Sequence, residues 1–482
     1  MKTRRPLFAS LASLASLTAL AVPSLLLAEK KEPAPFPKEL PKLAAERPLS
    51  PPAVSAKTLG NGLTVWVVNR RGVPLVNVTL VVKGGRTLDE KDQAGFSNLL
   101  AEGLKEGTAT KTGAQIADTL QGAGAELSTG AGSDSIAVSA TGVAEKLDVL
   151  LSTVADVAAH PAFPKSAVER VKANALEELA TSETDPEFVA VRSLRRQVYG
   201  AHPYAVDSPT KQSIERTTPE LLRREAARRL VPERALLLVV GEVEPENASR
   251  LAAAAFGSWA RGSEALPPAR AATPARESRE ALVVSRPGSV QSVLAFGGVG
   301  ISRTDPEAAA LEVAEAIYGG AFSSRLVSNL REEKGYAYSP YAVARSAPQG
   351  GLIATVAAVR NEVTGAAASE ILYEMSRIAT TDPSDEELER ARGHQIGSRV
   401  LSLQSNAAVA GELADLFRNG LSPADIGKPI EALTKVTAKD VRRVAKKHLT
   451  PYAMRLVVVG DLPAVKEELA PIVPIVEEKV ER

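Results

Sequence analysis

The two halves of this chain repeat each other, and that repeat restricts the fold more than any other feature. Thr218 to Gly241 (TPELLRREAARRLVPERALLLVVG) aligns without gaps on Thr437 to Gly460 (TAKDVRRVAKKHLTPYAMRLVVVG), a displacement of 219 residues. Arg223/Arg442, Arg224/Arg443, Ala226/Ala445, Leu230/Leu449, Pro232/Pro451 and Gly241/Gly460 are identical across it. In the same register Pro164 falls on Pro383, each opening a helical pattern. Such self-similarity reads as a duplicated α+β unit with strands first, then several helices, then a last strand returning to the sheet. At 482 residues the chain has length for two cores of that kind.

Within the first copy, Leu63–Val68 and Leu75–Val82 are Val-rich runs separated by Arg70-Arg71-Gly72-Val73-Pro74, a strand, turn and strand pattern. A short helix follows from Gly95 to Gly107, then a helix at Gln115–Gln121 and a hairpin around Gly130-Ala131-Gly132. Helical periodicity returns over Val143–Ala159 and Lys165–Ala180. A first domain is assigned to 55–256, an aperiodic Ala/Pro/Arg/Glu/Ser linker to 257–279, and a second domain to 280–475.

Residues 1–28 read as an export signal: Lys2, Arg4 and Arg5 precede an uncharged stretch from Pro6 to Ala28 with small-residue sites near its end. An uncleaved N-terminal anchor is the alternative, and only then would the chain touch a membrane. Residues 29–54 are rich in Pro, Lys and Glu, an extended segment. The whole chain carries 58 Lys plus Arg against 57 acidic residues, which gives no electrostatic footprint for nucleic acid. Cys is absent, so disulfides, thiolate metal sites and a cysteine nucleophile are excluded. An exported, periplasm-like location is the expectation.

The short helix of the first half carries Asn98, Ala101 and Glu102 at i, i+3 and i+4, on one face. An inverted zinc motif, His-x-x-Glu-His, would set two imidazoles and a general base at those places. The four histidines, His160, His202, His394 and His448, include no pair at i, i+4. In the second half Gly319-Gly320-Ala321-Phe322-Ser323-Ser324-Arg325-Leu326 leads into Leu330-Arg331-Glu332-Glu333-Lys334-Gly335-Tyr336-Ala337-Tyr338-Ser339.

These halves and motifs resemble the M16 peptidases, the insulinase, pitrilysin and mitochondrial processing peptidase family, over roughly Ala56 to Ile472. The resemblance implies two homologous lobes, each a mixed, mostly antiparallel sheet covered by helices. In active members a further Glu follows the second His of the motif; here 75 residues intervene between Glu102 and Glu178, which takes that place. Asn98, Ala101, Glu102 and Glu178 are then degenerate metal-site positions, and no metal or other cofactor is expected on this chain. The Arg and Tyr of the second-half signature, by position Arg331 and Tyr338, reach substrate in active members; a guanidinium holds carbonyls or a carboxylate, and a phenol donates to an oxyanion. Gly319-Gly320 resembles a shortened form of the glycine-rich loop of substrate-binding subunits, with a helix cap as the plainer explanation.

The resemblance therefore implies a non-catalytic, substrate-binding subunit of a heteromeric zinc peptidase acting on peptides. Zinc would sit on a partner chain that bears His-x-x-Glu-His. A peptidase-derived scaffold or peptide-binding protein without proteolytic role is the alternative. A self-sufficient peptidase with an unrecognised metal arrangement is the third.

Overall fold

The run Ala235–Gly241 is apolar without alternation and buried along its whole length, as a strand covered on both faces must be. In the computed structural model, which describes residues 51–262, 264–265, 270–273 and 280–478, it is a central strand of the first of two sheets. The export segment and nearly all of the Pro-rich stretch lie outside those residues, as does much of the linker.

The first sheet contains β1 (Val54–Thr58), β2 (Thr64–Asn69), β3 (Leu75–Lys83), β4 (Glu126–Ala131), β5 (Ser135–Val143) and β6 (Ala235–Gly241), ordered β1-β2-β6-β3-β5-β4. The second contains β7 (Ala281–Ser285), β8 (Gln291–Val299), β9 (Tyr341–Arg345), β10 (Leu352–Arg360), β11 (Arg455–Gly460) and β12 (Ile475–Glu478), ordered β12-β7-β11-β8-β10-β9. Both are mixed and mostly antiparallel, with β6 parallel to β2 and β11 parallel to β7. They differ at one edge. The first sheet is finished by β1, antiparallel to β2, whereas β12 comes from the other end of the sequence and runs parallel to β7.

One expected neighbour relation fails. The two Val-rich runs are β2 and β3, but they do not pair, because β6 lies between them in register with Thr64 at Leu236 and with Val76 at Gly241. An all-apolar strand is stable only where both faces are covered, which places β6 inside the sheet and parts the two earlier strands. The β4–β5 hairpin forms as expected, with β4 continuing through Ala131 and the turn falling at Gly132–Asp134.

The 219-residue repeat is structural. Thr218 and Thr437 each cap a helix, Pro219–Arg229 and Ala438–His448, by accepting from the backbone N–H three residues on. Each helix is followed by a 3₁₀ turn that begins at Pro232 or Pro451 and then by β6 or β11.

The first half's leading helices are α1 (Phe96–Leu104), α2 (Gly113–Gly122), α3 (Leu147–Ala159), α4 (Lys165–Ser182) and α5 (Pro186–Tyr199). On one face of the first sheet α1 and α3 bury Leu100, Leu104, Leu150 and Val154 against Val78, Leu80 and Leu237. The opposite face is covered by a helix from the second half, Asn406–Arg418, whose Val409, Leu413 and Leu416 meet Trp66, Leu236 and Leu238. The exchange is reciprocal: α5 leaves its own half to place Ala190, Leu194 and Val198 on Val293, Ala295 and Val457. Gly297 on β8 makes room for it, since a Cβ there would stand 2.7 Å from a Leu194 methyl. Leu49–Arg482 accordingly holds together as one compact unit. Among the described residues no helix is long and apolar enough to cross a membrane.

Candidate functional site

The start of α1 is fixed before any chemistry can be placed on it. Gly95 precedes the helix at φ 73°, where a side chain is disfavoured, and a Cβ would lie 2.4 Å from the Pro209 backbone nitrogen. Asp89 supplies the cap, accepting from the Ser97 N–H at 3.1 Å and its hydroxyl at 2.6 Å. Arg229 holds Asp89 at 2.9 Å and reaches Glu225 at 3.0 Å, with the Arg229 and Asp89 side chains only 1% and 2% exposed. Leu99, Leu100 and Leu104 are buried, so the apolar face of α1 packs inward.

The opposite stations on α1 face a cleft of about 520 Å³. Asn98, Leu99 and Glu102 line it from α1 and Lys105 from just beyond it, Asn174, Glu178 and Ser182 from α4, and the loop Asp207–Pro209 closes one side. The fold thus brings Glu178, distant in sequence, to the cleft that Asn98 and Glu102 line. Ala101 does not take part, being wholly buried in the core.

A cation that sequence reasoning missed stands beside them. Arg86 donates to the Asn98 amide oxygen at 3.3 Å and to the Ala131 carbonyl at the end of edge strand β4 at 2.6 Å. Burial lowers its pKa from the ordinary arginine value, while nearby Asp207, Asp89 and Asp134 favour its charge. The available signal was Gly84-Gly85 at the end of a strand pattern; a Cβ on Gly85 would stand 2.1 Å from the Gly132 carbonyl, so the backbones of the two loops touch there.

A hydrolytic zinc takes three protein ligands and leaves a fourth position for water. The residues present do not fit that ion. The Asn98 oxygen is engaged by a guanidinium, Ala101 offers a buried methyl, and Glu102 pairs with Lys105 at 2.6 Å, so that Glu178 stands without a complementary donor set. Among the described residues no three His, Cys, Asp or Glu side chains stand together as a metal site needs. The histidines serve elsewhere: His202 caps a 3₁₀ turn by accepting from the Tyr204 N–H at 3.1 Å, and His448 lies 3.5 Å from Glu307.

The second-half signature forms a different cluster. The Arg331 guanidinium lies between two aromatic rings, 4.9 Å from the Phe322 centroid and 5.0 Å from that of Tyr338, and its Nε meets the exposed Glu332 carboxylate at 3.3 Å. Both rings face water, at 74% and 80% exposure. The walls of the α1–α4 cleft are drawn entirely from the first half, and neither Arg331 nor Tyr338 is among them. Gly319 and Gly320 end a π-helical turn, Ala316–Gly320. A Cβ on Gly319 would meet that of Ala342 on β9 at 2.6 Å, and one on Gly320 would meet the Glu315 carboxyl carbon at 2.3 Å. The close approach at Gly319 is to the Cβ and backbone of Ala342, whereas that at Gly320 is only to the end of the Glu315 side chain, which can move.

Two family descriptions match consecutive parts of the chain, "Insulinase (Peptidase family M16)" over residues 64–207 and "Peptidase M16 inactive domain" over residues 217–393. The chain belongs to the M16 peptidase family. This M16 chain is 26% identical over 400 residues to an uncharacterized zinc protease of Mycobacterium leprae, covering 82% of this chain and 89% of that protein. It is 24% identical over 408 residues to an uncharacterized zinc protease of Rickettsia bellii, covering 83% and 96%. In structure it resembles a peptidase M16 inactive domain from Pseudomonas fluorescens, with a TM-score of 0.79 at 25% identity over 85% of this chain and 98% of that one. A protease from Helicobacter pylori shares the fold, with a TM-score of 0.80 at 18% identity over 85% and 100%. The two-lobed fold that the sequence implies is therefore the fold of this M16 chain.

Proposed function

We propose that this chain is the non-catalytic, substrate-binding subunit of a heteromeric M16 zinc peptidase acting on peptides. One observation carries the reading: the α1–α4 cleft has lost the donors that zinc chemistry needs, whereas in the other half Tyr338 stands exposed and the part-buried Arg331 is held against it and against the exposed carboxylate of Glu332. A guanidinium held in one plane offers its fork of donors to peptide carbonyls or a carboxylate at reduced entropic cost. Zinc and the general base then belong to a partner chain bearing His-x-x-Glu-His, and this chain binds no cofactor of its own. Residues 1–28 direct it out of the cytoplasm, with a periplasmic space as its place of work.

The test is to produce this chain together with the His-x-x-Glu-His chain from the same source and to follow cleavage of a peptide substrate. Arg331→Ala and Tyr338→Phe in this chain are expected to lower kcat/KM about 10- to 100-fold, as loss of one charged or donor contact does. Cleavage undiminished in both variants overturns the shared-site reading.

A further inference from the structure

Phe322 has a second side. While the face of its ring meets Arg331, the residue also forms the lip of a cavity of about 290 Å³ between the π-helical turn Ala316–Gly320 and the helix Asp385–Ser402. Ala316, Ile317, Ala321 and Ala391 give it apolar walls. Its one acidic wall residue, Glu387, is already spent: Arg325 grips it with two hydrogen bonds at 2.7 and 2.9 Å, which holds its pKa down at about 2. Arg390 and His394 complete the rim. An apolar recess has thus been kept beside a fixed guanidinium, with no uncommitted carboxylate in its wall.

Its place in the duplication matters. The α1–α4 cleft lies between the first helix after the opening strands and the helix that follows Pro164; this recess lies between the corresponding elements of the second half, the latter following Pro383. At the lower end of ligand-pocket size, roughly 300 Å³ and upward, it suits a side chain better than a whole small molecule.

We infer that the second-half recess is an apolar side-chain pocket for a bound peptide, taking an aliphatic or aromatic residue flanked by an acidic one, with Phe322 as its lip and as the platform that fixes Arg331. The inference rests on the reading that Arg331 meets peptide. The exposed ring of Phe322 would be covered by the incoming side chain, and Arg331 with Arg390 would exchange their exposed partners, Glu332 and Glu386, for the neighbouring carboxylate.

The experiment uses the full chain and fluorescein-labelled Gly/Ser peptides that differ only in a central pair, Leu-Glu or Gly-Glu, with binding read by fluorescence anisotropy. The Leu-Glu peptide is expected to bind about 10- to 100-fold more tightly than the Gly-Glu peptide, the value of burying one Leu side chain. Ala321→Trp, or the milder Ala321→Leu should the first variant melt early, fills the recess and removes that preference while leaving Gly-Glu binding in place. Phe322→Ala weakens both peptides, and Phe322→Trp restores them, which a purely structural role would not do. Arg331→Ala lowers both peptides equally and keeps their ratio. If Arg331→Ala changes neither peptide but the Leu preference persists, the role given to Arg331 fails and the pocket stands. Absence of Leu-Glu binding, equal affinity for the two peptides, or a preference that survives a filled recess overturns the inference. So does a concentration-dependent dimer in sedimentation that Phe322→Ala disperses, because the recess would then be occupied by a second copy of the chain.

Discussion

The two halves present the same frame and different surfaces. In the first, the cleft between α1 and α4 mixes apolar walls, Leu99, Val171, Leu179 and Phe188, with the polar side chains Asn98, Glu102 and Glu178, and Arg86 donates to Asn98. In the second, the corresponding cleft is apolar and adjoins a cation held between two rings. A duplicated fold supplies two equal stations, and the side chains at each have been free to change separately, since chemistry belongs to sites and not to folds.

The sharpest contrast lies at a pair of positions 219 residues apart, Arg229 and His448, at the ends of equivalent helices. Arg229 pairs with Asp89 and is sealed from water, while His448 lies 3.5 Å from Glu307, itself held by Lys447 and Arg443. Removing one partner of a sealed ion pair leaves an uncompensated charge, so Arg229→Ala should destabilise by about 3–5 kcal/mol. His448→Ala should cost much less, because Glu307 keeps two other cations. Chemical denaturation of the two variants decides this; equal losses would break the contrast. The halves should also answer pH differently. Burial, and then Lys447, lower the His448 pKa from its ordinary 6.5. The unfolded chain therefore takes up the proton first, and stability falls as pH drops below about 6.5. That portion of the fall should vanish in His448→Gln and persist in Arg229→Lys.

Next in size is a test of the glycines. Gly319 touches β9 so closely that Gly319→Ala should overpack the site and cost about 1–3 kcal/mol. Gly397, in the helix Asp385–Ser402, is half-buried but faces open space: a methyl there would meet nothing within 4 Å, so Gly397→Ala should stabilise by about 0.5–1 kcal/mol through helix propensity alone. Thermal melts with opposite signs are expected. A neutral Gly319→Ala would mean that the approach to Ala342 does not by itself require a glycine there.

Much of this was legible beforehand, and what was missed has a common cause. The repeat located equivalent helices and strands because caps and prolines act locally: Thr218, Thr437, Pro232 and Pro451 do the same work in both halves. The separation from Glu102 to Glu178 brought out a pair that does share one cleft. Long-range geometry left no such trace. Nothing in the spacing of Arg86 tells of its bond to Asn98, or in that of α5 of its crossing to the other half's sheet, since both depend on the order in which strands assemble. The separation of β2 from β3 by β6 was hidden for the same reason.

A buried carboxyl tests the second half further. Glu315 lies against Gly320 and accepts from Gln395 at 3.3 Å; burial and then Glu312 push its pKa up to about 7. The folded chain thus holds a proton there that the unfolded chain releases near 4.5. Stability is lost as pH rises from about 4.5 to about 7 and stays reduced above. Glu315→Gln should stabilise by about 1–3 kcal/mol at pH 8, with the gain gone near pH 4. A gain independent of pH would mean that shape, and not charge, is at issue.

The smallest effect is expected where a catalytic group would have been most sensitive. Glu102 is half exposed and meets Lys105 one helical turn along at 2.6 Å. A pair of that kind contributes about 0.2–0.5 kcal/mol, because water screens both ends and two long side chains must be held still. Glu102→Gln should therefore shift stability by less than about 0.5 kcal/mol. In the complex with a zinc-bearing partner it should leave peptide cleavage unchanged, while Arg331→Ala lowers it. Under the proposed function the two variants separate the halves: a first-half cleft whose carboxylate is surface, and a second half whose cation would meet substrate. A loss of cleavage on Glu102→Gln equal to that on Arg331→Ala would remove the division and return the α1–α4 cleft to the reaction.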